Sequence, residues 1–176
     1  MRFLDTSLPG LLRVEIERRA DARGSFARTF CAREFAEAGL PGSFVQWSTS
    51  FNARAHTLRG MHWQRAPQAE AKLVRCTRGA IHDVVADIRP DSPAFGRHEA
   101  FTLRGDGNLM LFIPAGLAHG FLTLEDASEV LYAMDIPFVP GHAAGFRWDD
   151  PAFAIAWPAA PALVSAQDAG WPSFRA

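Results

Sequence analysis

Apolar residues fall along this chain in short runs cut by turn residues, a spacing that predicts many short strands rather than long helices. Residues 73–78 and 81–88 flank Gly79-Ala80 and predict a hairpin. Residues 99–103, 109–113 and 129–134 predict three more strands, and the stretch around Leu58 to Gln64 is also strand-like. Turn chemistry stands between them at Pro90-Asp91-Ser92-Pro93, Gly105-Asp106-Gly107, Pro114-Ala115-Gly116 and Val139-Pro140-Gly141. One short helix is predicted over 32–38, where helix formers dominate and Gly39 and Pro41 end the run. From 159 onward the chain is rich in Ala and Pro and predicts irregular structure or a short helix. No internal repeat, low-complexity tract or linker interrupts the pattern. The expected architecture is all-β, a sandwich or jelly-roll barrel with a few short helices, as a single domain over residues 1–176.

Composition sharpens this picture. Fourteen Phe and five Trp suit strands, and 176 residues with 48% hydrophobic content suffice for a sizeable core. A net charge of −1 argues against a general nucleic-acid binder, although local arginine clusters can meet the phosphates of a small ligand. The two cysteines, Cys31 and Cys76, are too few for a disulfide framework and lack metal-site spacing. Met1-Arg2 is not followed by a signal-peptide core, and there is no run of about 18 apolar residues. The expectation is a soluble cytoplasmic protein with no membrane partner.

The candidate chemistry starts from Lys72. It is the only lysine in a chain whose 17 other basic residues, of 18 Lys and Arg in all, are arginines, and Tyr132 is the only tyrosine. A compact ammonium kept amid arginines suggests a position that a guanidinium fork cannot fill. His62 stands ten residues earlier, in Leu58-Arg59-Gly60-Met61-His62-Trp63-Gln64. The segment Pro114-Ala115-Gly116-Leu117-Ala118-His119-Gly120-Phe121 carries a Pro-x-Gly turn with a histidine three residues on, a cupin-type barrel signature. Metal-binding cupins add a His-x-His pair, which His62-Trp63-Gln64 breaks. His62 and His119 alone fall short of the three or four ligands a Zn or Fe site wants, so no metal and no cofactor are expected. A histidine, a lysine, a tyrosine and several arginines instead suit proton transfer beside a carbonyl. The imidazole acts as base near neutral pH, a cation stabilises the enolate oxygen, and a phenol delivers a proton. A carboxylate must orient the imidazole; composition does not single out which.

These motifs, with Asp21-Ala22-Arg23-Gly24, Phe44-Val45-Gln46, Lys72-Leu73-Val74-Arg75, Leu131-Tyr132, Arg147-Trp148-Asp149-Asp150-Pro151 and Ser165-Ala166-Gln167-Asp168, occur in one order along nearly the whole chain. In that order the chain resembles the dTDP-4-dehydrorhamnose 3,5-epimerases, cupin-fold (double-stranded β-helix) enzymes of dTDP-rhamnose biosynthesis. The resemblance implies epimerisation at C3 and C5 of a nucleotide-linked 4-keto-6-deoxy sugar. It implies His62 as the base, Asp168 as its partner, Tyr132 as the opposing proton donor and Lys72 at the C4 oxygen. Arg23 and Arg59 would meet the diphosphate, Gln46 would place the nucleotide, and His119 would line the pocket. A homodimer is implied, with Arg23 on an N-terminal segment shared between subunits.

Three departures bear on the nucleotide end. Arg28 stands where the family has Glu, Ala133 follows Tyr132 where the family has Lys, and Ala144 stands where Glu is common. An epimerase acting at C3 only, or on another nucleotide sugar, therefore stays open. From other classes, a metal-dependent cupin oxygenase and a non-catalytic sugar-nucleotide binder remain as alternatives. One geometric demand also follows. Strict alternation puts Arg59 and His62 on opposite faces of a strand, so sharing a pocket requires a bulge at Gly60 or an Arg59 that reaches over the rim.

Overall fold

The computed structural model describes residues 1–175, built of strands with two short helices. In chain order these are β1 (Arg2–Asp5), β2 (Leu12–Glu15), β3 (Arg18–Asp21), β4 (Gly24–Ala27), α1 (Ala32–Glu37), β5 (Gln46–Asn52), β6 (Thr57–Gln64) and β7 (Lys72–Arg78). There follow β8 (Ala80–Asp87), β9 (His98–Arg104), β10 (Leu109–Ile113), β11 (Leu117–Thr123), β12 (Ser128–Met134), β13 (Ala143–Gly145), β14 (Leu163–Val164) and α2 (Ala166–Ala169). One sheet runs β1-β2-β10-β7-β12-β5. The second runs β13-β6-β11-β8-β9, with β14 added in parallel to β6. Strands β3 and β4 form a separate hairpin. The two large sheets pack face to face as the expected jelly roll of the cupin type.

Period-two alternation lets single strands serve both core and cavity. Val74 and Cys76 of β7, Val130 of β12 and Phe121 of β11 lie in the core between the sheets, with Ile81 and Val85 of β8. The same faces continue to Lys72, Tyr132 and His119, which line a cavity. The outer face of the first sheet, through Leu73, Met110, Phe112 and Ala133, is covered by Phe35 of α1 and by Phe44. The outer face of the second, through Met61, Val84, Ala86 and Ala118, is covered by Phe146, Phe153, Trp157 and Phe174. Phe35 is fully buried, which is worth about 2–3 kcal/mol relative to exposure.

Helix α1 ends as its sequence predicts. Gly39 takes φ of +73°, and the N–H groups of Gly39 and Leu40 return to the carbonyls of Ala36 and Phe35, closing the last turn. The predicted hairpin at Gly79-Ala80 is corrected. Both strands exist, but β7 pairs with β10 and β12 while β8 pairs with β9 and β11. The single residue between them is too short for a hairpin loop, and Gly79 instead turns the chain from one sheet to the other. A Cβ there would meet Ser128 Oγ at 2.4 Å. Among the described residues, no helix is long and apolar enough to cross a membrane.

Candidate active site

Between the sheets opens a cavity of about 720 Å³. The first sheet contributes Gln46, Lys72 and Tyr132, and the second contributes Arg59, His62 and His119. Seven of the eight sequence-predicted site residues therefore belong to one place, the six lining residues together with Asp168, which contacts His62 from outside the lining.

His62 and Arg59 share the cavity through a β-bulge. On β6, Arg59 pairs with Phe121 and His62 with His119, so Gly60 and Met61 together face the one residue Gly120. The extra residue returns His62 to the face that Arg59 occupies. Only glycine fits at Gly60, because φ is +131° and a Cβ would lie 2.5 Å from Gly120 Cα. The bulge also leaves the Gly60 N–H to point at Asp168 Oδ2, at 3.4 Å.

Asp168 reaches His62 from α2, whose first turn is held by Ser165 Oγ accepting the Asp168 N–H at 3.0 Å. Its Oδ1 lies 2.5 Å from His62 Nε2. Burial alone would raise the Asp168 carboxyl. The hydrogen bond and charge of His62, the Gly60 N–H and Trp171 outweigh it and hold the carboxyl below the ordinary value. A carboxylate on Nε2 fixes the Nε2–H tautomer and leaves Nδ1 as the ring nitrogen that can accept a proton.

Lys72 and His119 each have a buried acidic partner that the sequence did not single out. Lys72 Nζ lies 2.6 Å from Glu70 Oε1, with the two side chains 12% and 3% exposed. The other carboxylate oxygen of Glu70 accepts the Gln64 N–H at 3.1 Å. One ammonium donor is thus anchored and two are left for a ligand. His119 Nε2 lies 2.8 Å from Asp83 Oδ2, and Asp83 is fully buried. Tyr132 pairs in register with Val74 and Ser48 and packs against the core between the sheets. It faces His62 from the opposite sheet.

The residues expected at the nucleotide diphosphate divide. Arg59 Nε donates to Asn52 Oδ1 at 2.8 Å, which aims its guanidinium along the cavity wall. Gln46 Oε1 accepts the Phe138 N–H at 2.8 Å and ties a lining loop to β5. Arg23 is apart. It sits at the tip of the β3–β4 hairpin, its side chain is 89% exposed, and its partner is Asp21 two residues away. Of the departing residues, Arg28 bonds Glu34 at 3.1 Å, and Ala133 and Ala144 are buried. Phe138, beside the cavity, is half exposed.

Glu70 stands two residues before Lys72, at the approach to β7, and could have been found from that spacing. Asp83 could not, because its meeting with His119 depends on the register between β8 and β11. Trp171, which lines the cavity beside His62, was also missed. Among the described residues there is no cluster of three or more His, Cys, Asp and Glu placed to hold a metal ion.

Comparison with known proteins agrees with this geometry. The family profile described as dTDP-4-dehydrorhamnose 3,5-epimerase matches residues 5–176. The dTDP-4-dehydrorhamnose 3,5-epimerase of Sinorhizobium fredii is 37% identical over 175 residues, which covers 99% of this chain and 90% of that protein. The crystal structure of the Bacillus anthracis enzyme of that name, with TDP and PPi bound, superposes with a TM-score of 0.95 at 34% identity, covering 98% and 99% of the two chains. A 3'-monoepimerase from Streptomyces bikiniensis, in complex with dTDP-quinovose, superposes at 0.90 with 32% identity over 96% of this chain and 85% of that one.

Proposed function

The chain belongs to the dTDP-4-dehydrorhamnose 3,5-epimerase family, and from that premise we propose that it inverts C3 and C5 of a dTDP-linked 4-keto-6-deoxy sugar with His62 as the base. The reading rests above all on the oriented His62–Asp168 pair facing Tyr132 across one cavity. His62 Nδ1 removes the proton alpha to the C4 ketone. The C–H electron pair forms a C=C bond as the carbonyl π pair shifts onto the C4 oxygen, and Lys72 holds that enolate oxygen. Tyr132 then gives its phenolic proton to the opposite face of the same carbon, and the ketone re-forms. The step leaves His62 protonated and Tyr132 deprotonated, and exchange with solvent resets both. No external oxidant or reductant enters the balance.

The subunit is proposed to work as a homodimer. Arg23 lies away from its own cavity, on a hairpin joined to neither large sheet. Phe26 of that hairpin is 71% exposed, and Val45 just before β5, with Trp47 and Phe51 on it, leaves apolar surface exposed. Exchange of the hairpin would bury these residues and bring Arg23 to the diphosphate end of the partner's cavity. We place the protein in the cytoplasm as one domain. Light scattering of the purified chain tests the dimer, and a monomer at micromolar concentration would exclude it.

Incubation with dTDP-4-keto-6-deoxyglucose in D2O tests the activity. Deuterium at both C3 and C5 with inverted configuration is expected. Deuterium at C3 alone would make the protein a 3-epimerase like the Streptomyces bikiniensis relative, and no exchange would reduce it to a nucleotide-sugar binder.

A further inference from the structure

Trp171 stands beside the proposed base. It follows α2 by two residues, lines the cavity, and its ring stands edge-on to His62 with centroids 6.3 Å apart. It has space only because β13 carries Gly145 opposite His62. A Cβ on Gly145 would lie 2.4 Å from the indole ring. The Gly170 N–H bonds Ala166 O at 3.0 Å before the indole, and the Arg147 N–H bonds Pro172 O at 3.2 Å and the Phe174 N–H bonds Asp150 Oδ2 at 2.6 Å after it, so the chain on both sides is tied down. The indole Nε1 is buried and has no partner in hydrogen-bond geometry, yet Trp171 is among the groups that hold the Asp168 carboxyl low. Trp171 stands three residues after Asp168, and both flank His62, so its unpartnered donor is stabilised by closing on that carboxylate.

We infer that Trp171 is a positioning residue for the base. Its indole N–H closes on the buried Asp168 carboxylate, while the His62 ring stays partly open to the cavity. The inference rests on the proposed role of His62. A donor on Asp168 stabilises the carboxylate by itself and weakens its pull on a protonated His62. The other charged or titratable groups facing His62 are His119 on β11, Arg59 on its own strand, and Lys72, Glu70 and Tyr132 across the cavity. The lining residues of β13 are Ala143 and Ala144, which titrate nothing. Removing the indole N–H therefore changes the balance within the pair and leaves the rest of the site in place.

The test is the pH profile of kcat/KM for solvent exchange of the sugar protons in wild type, Trp171→Phe and Trp171→Phe/Asp168→Asn. Trp171→Phe keeps an aromatic ring and should move the acid limb, where the base is lost to protonation, up by roughly half to one pH unit. The high-pH plateau should stay within about twofold of wild type. The shift should vanish in the Asp168→Asn background, because the group that the indole acts on is gone. A Trp171→Phe profile that superposes on wild type would overturn the inference, as would a shift that persists without Asp168. A second readout needs no variant at Trp171. Among the five indole N–H resonances of the ¹⁵N-labelled chain, that of Trp171 should move with pH in wild type and stop doing so in Asp168→Asn. An indole signal indifferent to pH contradicts the inference even if Trp171→Phe fails to fold. Absence of exchange in wild type would instead sink the epimerase reading itself.

Discussion

Lys72 carries much of the argument at the scale of single residues. Glu70 anchors one of its donors at 2.6 Å, so the ammonium has a fixed origin and a short reach. Lys72→Arg keeps the charge but replaces a point donor with a planar fork in a confined space. Turnover should fall about 10²-fold with little change in KM, because the enolate charge that Lys72 is proposed to stabilise develops after binding, on the way through the transition state; steady-state kinetics on the 4-keto sugar would read it. Cys76 supplies an independent check. Burial pushes its thiol up to about 11, against a partial offset from the Arg78 backbone and Arg75. Iodoacetamide at pH 8 should therefore leave Cys76 unmodified in the folded protein and alkylate only the half-buried Cys31, as peptide mass mapping would show. His62 and Lys72 were legible in the sequence because one sits in a specific motif and the other is unique in composition. Their partners were less so. Asp83 becomes a neighbour of His119 only through cross-strand register, and Trp171 acquires a role only once Gly145 is seen beneath it.

The element that matters most is β6. Its alternation alone would send Arg59 and His62 to opposite faces, and the bulge at Gly60 and Met61 corrects this. The sequence left either a bulge at Gly60 or an Arg59 reaching over the rim to let the two share a pocket, and the register shows the bulge. Gly60→Ala would bring a Cβ to 2.5 Å from Gly120 Cα at a φ of +131°. The expected loss is about 2–4 kcal/mol of unfolding free energy in urea titration, with exchange activity lost well before the fold. A stable and active Gly60→Ala protein would show that the bulge does not set the site. Element types were otherwise readable where apolar runs and turn residues were strong, as in β10, β12 and α1. The partner of each strand was not. Gly79 reads locally as a hairpin turn, and only the packing of two sheets makes it a corner. The short strands β1 to β4, β13 and β14, at most four residues each, carry too little periodicity to register.

For the molecule as a whole, two stacked sheets put His62 and Tyr132 on opposing walls of one cavity, as the proposed base and acid on either side of one sugar ring. The outer layers matter to its pH response. His82, packed under Trp157, is pushed below the ordinary histidine range by burial, and the charge of Asp83 offsets only part of this. A neutral His82 thus contributes stability above about pH 6.5, where the unfolded chain is also neutral. That contribution is lost as pH falls through the lower folded value, because the unfolded state then binds the extra proton. The melting temperature should drop between pH 7 and pH 5, and less steeply in His82→Phe. The central claim is that His62 and Tyr132 act on one carbon from opposing sheets. Deuterium incorporation into dTDP-4-keto-6-deoxyglucose in D2O, followed by NMR for wild type, His62→Asn and Tyr132→Phe, tests it most directly. The account predicts that His62→Asn loses wash-in by about 10²–10⁴-fold while still binding dTDP, and that Tyr132→Phe retains wash-in with unchanged configuration and yields little inverted product. Near-normal wash-in by His62→Asn, or normal inversion by Tyr132→Phe, would contradict it.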